Sequence, residues 1–158
     1  MSDDLAVKVR LGLDDLATVR DQLSPLIAKP PDSKVGVIET AAACAMLHSF
    51  YTEIEKILKL VARGLGEPLQ ASEAWHKELL TQMAAPTSTR PAVITTDLVE
   101  TLSEFLAFRH LFRGASIALM RWDKLAPLLA RVDQVYREVK QEIEAFCAFL
   151  QSEGGHRP

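Results

Sequence analysis

Cysteine is scarce. Cys44 and Cys147 are the only two in 158 residues, and neither has a partner at ligand spacing, which excludes a disulfide scaffold and a zinc cluster as the basis of the fold. Both sit in apolar contexts and read as reduced, small core residues, so a cytoplasmic chain is expected. The four histidines, His48, His76, His110 and His156, are scattered. Glu-x-x-His is missing, which argues against a di-iron bundle. There is no glycine-rich phosphate loop and no nucleophile elbow. No apolar run reaches the length of a membrane span, and the acidic start Met1-Ser2-Asp3-Asp4 is unlike a signal peptide, so no membrane partner is expected. A net charge of −3 argues against a protein that coats nucleic acid, while leaving room for a local basic groove. No strand alternates and no segment repeats. Nothing calls for a metal or a cofactor.

What is present is helix. With 48% apolar and 25% charged residues, the chain has the balance of an ordinary globular domain. Leu5, Val9, Leu13, Leu16, Val19, Leu23 and Ile27 recur at three- and four-residue spacing and predict a first helix over 3–28, ended by Lys29-Pro30-Pro31. A second is expected over 35–65, stopped by Gly64, Gly66 and Pro68. Its middle, Ala41 to Met46, is small enough for close approach by another helix. A short third helix fits 72–84, with Ser72 as N-cap. A fourth starts near Thr95-Thr96-Asp97. Arg121-Trp122-Asp123 reads as a turn, and a fifth helix runs from Asp123 to Ser152, with Pro127 tolerable in its first turn. The expected fold class is all-α: an up-and-down bundle of four long helices and one short one, forming a single domain over 1–152 with a disordered tail at 153–158.

Against this plain background, Phe108-Arg109-His110-Leu111-Phe112-Arg113 stands out. Two arginines and a histidine lie in one of the most apolar stretches of the chain, where long cations are paired or working. At about 100° per residue Arg109, Arg113 and Leu106 share a helix face, with His110 and Ile117 at its edge, while Phe105, Phe108, Phe112 and Ala115 face a core. Two guanidiniums and an imidazole suit a phosphate. The plainer reading pairs Arg109 and Arg113 with Glu104, Glu100 or acidic groups on another helix and makes His110 a hydrogen-bonded interior residue. Glu39, Glu53, Glu55 and Glu78 read as solvated helix-face charges. Trp75-His76 is either a stacking platform for a base or a packed helix start.

Several segments carry a family resemblance: Ser49-Phe50-Tyr51-Thr52-Glu53-Ile54-Glu55-Lys56-Ile57, Ala74-Trp75-His76-Lys77-Glu78-Leu79-Leu80, Arg90-Pro91-Ala92-Val93-Ile94, Phe108 to Arg113, Trp122-Asp123 and Phe146-Cys147-Ala148-Phe149-Leu150. In their order and spacing the chain resembles the HepT-like branch of the HEPN superfamily, the helical partners of minimal nucleotidyltransferases in toxin–antitoxin pairs. The resemblance implies a bundle that dimerises and sets two arginine–histidine motifs across a shared groove. In active relatives that groove cleaves RNA without a metal, by attack of a ribose 2′-hydroxyl on its phosphate. The family motif is arginine, four residues, histidine, one residue, tyrosine. Aligned from Arg109, the histidine slot holds Gly114 and the tyrosine slot holds Ser116. Gly114 cannot move a proton, and Ser116 cannot serve as the tyrosine that partner nucleotidyltransferases adenylylate.

The resulting expectation is a HepT-like protein acting on RNA, a metal-independent endoribonuclease toxin or a weakened relative. Arg109, Arg113 and His110 are its candidate catalytic residues, and Trp75, His76 and Ser116 its candidate ligand groove. The alternative is a non-catalytic helical homodimer that binds a nucleotidyltransferase antitoxin, a nucleotide or RNA. A third reading has the cations merely pairing across a dimer interface.

Overall fold

The structure is a computed structural model that describes residues 2–114 and 116–154. Ala115, expected in the core, the side chain of Ile117 and residues 155–158 of the expected tail lie outside the described residues. The helices are α1 (Ser2–Ile27), α2 (Val37–Gly64), α3 (Trp75–Ala84), α4 (Thr96–Gly114), α5 (Trp122–Leu129) and α6 (Val132–Gly154), with a 3-10 turn at Ile117–Leu119. The described residues form no strand.

The long helices α1, α2, α4 and α6 make a four-membered bundle in which α1 packs on α2 and α6, and α4 packs on the same two. Contacts between them fix their directions. Gly64 lies against Leu5, Gly12 against Ile57, and Lys29 pairs with Glu39 at 3.1 Å, so α1 and α2 are antiparallel. Arg10 meets Glu144 at 3.0 Å and Arg20 meets Asp133 at 2.7 Å, which sets α6 antiparallel to α1. Thr95 bonds Glu142 and Arg131 pairs with Glu104, which sets α4 antiparallel to α6. The arrangement is the expected up-and-down bundle. The stripe Leu5, Val9, Leu13, Leu16 and Leu23 of α1 is buried, as its spacing predicts. Phe105 and Phe108 of α4 are buried and Phe112 half-buried. Cys44 and Cys147 are buried free thiols. No helix of the described residues is long and apolar enough to cross a membrane.

The structure corrects four local expectations. The fifth helix is two helices, because Trp122 opens α5 rather than sitting in a turn. α5 buries Trp122, Leu125, Ala126 and Leu129 against α1 and α2, whereas α6 runs along α1 and α4. The chain changes direction at Ala130–Arg131, where the Arg131 N–H bonds back only to Leu128 at 3.0 Å before a new ladder starts from the Arg131 carbonyl. Pro127 falls in the second turn of α5 and has no N–H to give the carbonyl of Asp123. Ser72 does not cap α3. That helix starts at Trp75 with Ala74 as its N-cap residue, and the Ser72 hydroxyl donates to Glu78 at 2.9 Å. α4 stops at Gly114 instead of passing through it.

Two termini show how local chemistry holds the bundle. Thr95 caps α4: its hydroxyl oxygen accepts the Leu98 N–H at 3.2 Å, while Glu142 of α6 accepts both the Thr95 N–H and its hydroxyl at 2.8 Å. Thr95→Ala is expected to cost about 1 kcal/mol and Thr95→Ser much less, read as the shift in thermal midpoint.

At the other terminus, α2 ends in a Schellman motif. Gly66 takes φ +70°, its N–H donates to Arg63, and the Glu67 N–H donates to Ala62 at 2.9 Å. The turn delivers Glu67 to Arg90, which is buried. Arg90 Nε and Nη2 donate to the two Glu67 oxygens at 2.5 and 2.9 Å. Its remaining bonds go to the carbonyls of Ala85, Pro91 and Gln82. The Arg90 hydrogen bond, with one from Gln82, holds the Glu67 carboxyl below its ordinary range against the opposing effect of burial. A depressed folded pKa stabilises the fold above the unfolded value and is lost as pH falls through the folded one. Unfolding midpoints of wild type are therefore expected to drop more steeply below about pH 4.5 than those of Glu67→Gln.

Candidate functional site

α3 lies across α2 and α4 on one side of the bundle, and the candidate site forms where the three meet. On α2 the residues His48, Thr52, Glu55, Lys59 and Arg63 follow one another at spacings of four, three, four and four, which places them in a stripe along one face. Glu55 is 2% exposed. This corrects its reading as a solvated charge: Tyr51 and Leu58, its neighbours one turn either way, are core residues, so position 55 belongs to the buried face.

The partner of Glu55 is His76, at the start of α3. His76 Nδ1 is 2.5 Å from Glu55 Oε2, and His76 Nε2 is 3.1 Å from Arg109 Nη1 of α4. A carboxylate, an imidazole and a guanidinium from three helices thus form one chain. Trp75 packs beside it. Its ring centroid is 3.6 Å from that of His76 and 3.7 Å from the Lys59 ammonium. The imidazole and the ammonium thus both lie against the Trp75 ring. Burial lowers the Lys59 pKa, and the Arg63 and Arg109 charges add to it, while Glu55 opposes. His48 stands 5.5 Å from Phe112, ring to ring. Its pKa is also lowered, by burial and then by Arg109 and Arg113. Burial, reinforced by the charge of Glu55, raises that of Tyr51. Among the described residues, the buried side-chain polar atoms without a hydrogen-bond partner are His48 Nδ1, Tyr51 Oη, Thr52 Oγ1 and Arg109 Nε. All belong to this one region.

The profile of a family described as HepT-like protein matches residues 42–150, from the early turns of α2 to the end of the α6 core. The chain belongs to the HepT-like family. No curated protein and no solved structure matches it. Within this HepT-like bundle the six residues expected at the site are not all together. Arg109 and His76 are in contact, with Trp75 stacked on His76. Arg113 lies one turn beyond Arg109 and is exposed, close enough to His48 for its charge to be felt there. His110 is exposed, which removes the reading of it as an interior histidine, and it points about 100° from Arg109 along the helix. Ser116 is exposed beyond the end of α4. Arg109 does not pair with Glu104, which is taken by Arg131. At Gly114, in the family's histidine slot, an added Cβ would meet no atom of the described residues within 4 Å and the backbone is not in the left-handed region. Neither the described neighbours nor the backbone conformation therefore demands glycine there.

Sequence reasoning passed over Glu55, Lys59, His48 and Tyr51. For Glu55 the signal was present in its place on the apolar stripe. The link between His76 and Arg109 joins residues 33 positions apart and depends on how α3 folds back, which no local pattern encodes. Among the described residues no three His, Cys, Asp or Glu side chains converge as a metal site.

Proposed function

We propose that this HepT-like protein acts on RNA as a metal-independent endoribonuclease of the toxin type, with Arg109 as the residue that grips the scissile phosphate. The observation that carries the reading is the placement of Arg109: half-buried at the meeting of three helices, hydrogen-bonded to an imidazole rather than to a carboxylate. A guanidinium so placed keeps donors for phosphate oxygens. Arg113 adds a second cation on the next turn, and exposed His110 is the group proposed to move the proton. Cleavage would deprotonate the 2′-hydroxyl, form the bond from that oxygen to phosphorus and release a protonated 5′-oxygen.

A second reading, binding without cleavage, is favoured by Gly114 and Ser116 in the histidine and tyrosine slots. It retains the same phosphate grip. Self-association and a nucleotidyltransferase partner belong to both readings. Support for an interface comes from exposed Leu111, Leu119, Val37 and Ile38, since large apolar side chains in water favour a partner surface.

Wild type, Arg109→Ala and Gly114→His are to be incubated with total RNA and with tRNA in EDTA. Cleavage by wild type, absent in Arg109→Ala, is the expected result. Cleavage by Gly114→His alone identifies a weakened relative. Binding without cleavage by any of the three supports the second reading. Neither binding nor cleavage overturns an RNA-directed function.

A further inference from the structure

Hydrogen-bond inventory decides the state of His76. Arginine has donors only, so Nε2, facing Arg109 Nη1 at 3.1 Å, must accept. An ionised carboxylate has acceptors only, so Nδ1, facing Glu55 at 2.5 Å, must donate. The imidazole between them is therefore the neutral tautomer protonated at Nδ1. Glu55, buried on α2, orients the ring, and the ring in turn holds one corner of the guanidinium.

We infer that His76 is the positioning residue of the phosphate site, supplied by α3 and standing between Arg109 and the carboxylate that would otherwise neutralise it. The inference rests on the RNA-phosphate reading above. A carboxylate paired directly with Arg109 would take two N–H groups in a fork and oppose its charge at contact distance. The imidazole takes one N–H and brings no charge. Glu55 is kept a ring's width away. Arg109 is thereby fixed in place with its full charge, and the donors other than the bonded Nη1 hydrogen and the buried Nε, left for an anion. The same arrangement explains how an arginine flanked in sequence by Phe105, Phe108 and Phe112 does without a direct acidic partner among the described residues. It also makes the second histidine of the site independent of the slot that Gly114 has left without a side chain.

The test uses two substitutions that divide the imidazole between them. Asparagine at 76 places its amide near Nδ1 and keeps the link to Glu55. Glutamine reaches the position of Nε2 and keeps an acceptor for Arg109. A 2′-O-methylated RNA oligomer, which cannot cyclise, is titrated against wild type, His76→Gln and His76→Asn of the full chain. His76→Gln is expected to bind within about threefold of wild type, and His76→Asn about tenfold more weakly, the scale of one charge-assisted contact. His76→Asn binding as wild type does, or both variants weakening equally with unchanged helicity, overturns the inference.

A second readout needs no ligand. In ¹⁵N spectra of wild type, His76 is expected to be protonated at Nδ1 and bare at Nε2, with Arg109 Nε–H protected from solvent exchange. That protection should persist in His76→Gln and fall about tenfold in His76→Asn. Equal protection in all three overturns the positioning role. If wild type fails to bind the oligomer yet shows this pattern, the RNA reading fails and the positioning of Arg109 stands.

Discussion

Replacing Arg90 with alanine is expected to destabilise the protein by about 3 kcal/mol, a fall of roughly 10 °C in thermal midpoint for a chain of this size. The effect is large because Arg90 gathers acceptors from a whole loop system. Its side chain is 1% exposed and serves both oxygens of Glu67 together with the carbonyls of Ala85, Gln82 and Pro91. Those groups pin the end of α2 and the end of α3 to the segment that leads into α4. Truncation strips the Glu67 carboxylate of its charged partner, leaving it the Gln82 amide alone, and takes the side-chain donor from the Ala85 and Pro91 carbonyls. Arg90→Lys is expected to recover less than half of the loss, because an ammonium is a point donor and cannot span the fork. Replacing both partners, Arg90→Met with Glu67→Leu, should recover more than lysine does, since no charge is then left unpaired. It should still fall short of wild type, because the Ala85 and Pro91 carbonyls stay without that donor. Thermal unfolding of the four proteins in one buffer checks the order.

Arg109→Ala is expected to weaken RNA binding by about 10- to 100-fold, the range for a hydrogen-bonded charge on a phosphate, while changing the thermal midpoint by only a few degrees. The contrast with Arg90 comes from their partners. Arg90 is saturated by this chain's own acceptors, whereas Arg109 has a hydrogen bond to His76 and an Nε–H with no partner among the described residues. On the proposed function its removal would also subtract one phosphate contact, so the slope of log affinity against log salt should become shallower by about 0.7 for a single strand. Titrations at several salt concentrations separate this from a conformational effect, which would lower affinity without changing the slope. An equal loss in Arg113→Ala would place the grip one turn further along α4.

Much of the bundle was legible because burial imposes a period. The leucines of α1 and the phenylalanines of α4 fall where a 3.6-residue repeat puts them. The ending of α2 could be read from Gly64, Gly66 and Pro68, since a left-handed residue stops a helix whatever surrounds it. The break between α5 and α6 was not legible. Leu125, Leu129, Val132, Val135 and Val139 keep an unbroken helical spacing, and the change of direction comes from docking Trp122 to one part of the bundle and Arg131 and Asp133 to another. At the site, the sequence drew attention to Arg109 through its apolar neighbours. It pointed to the adjacent His110 for a partner, whereas the fold supplies His76 from another helix. Adjacency along a helix separates side chains by about 100°, and tertiary packing alone can bring two of them onto one atom pair.

Kinship and foldability have different borders in this protein. The family signature begins at residue 42, inside α2 and beyond the whole of α1. Yet α1 covers the sides of α2 and α6, with Gly12 set against Ile57 and Ala6 against Cys147, and Leu16 and Leu23 fully enclosed. A gene fragment cut at the start of the recognisable region would carry every residue proposed for the RNA site and still leave an oily trough along its length, open to any other chain. Lineage is written in the later helices; the right to exist as a separate molecule is shared with the first.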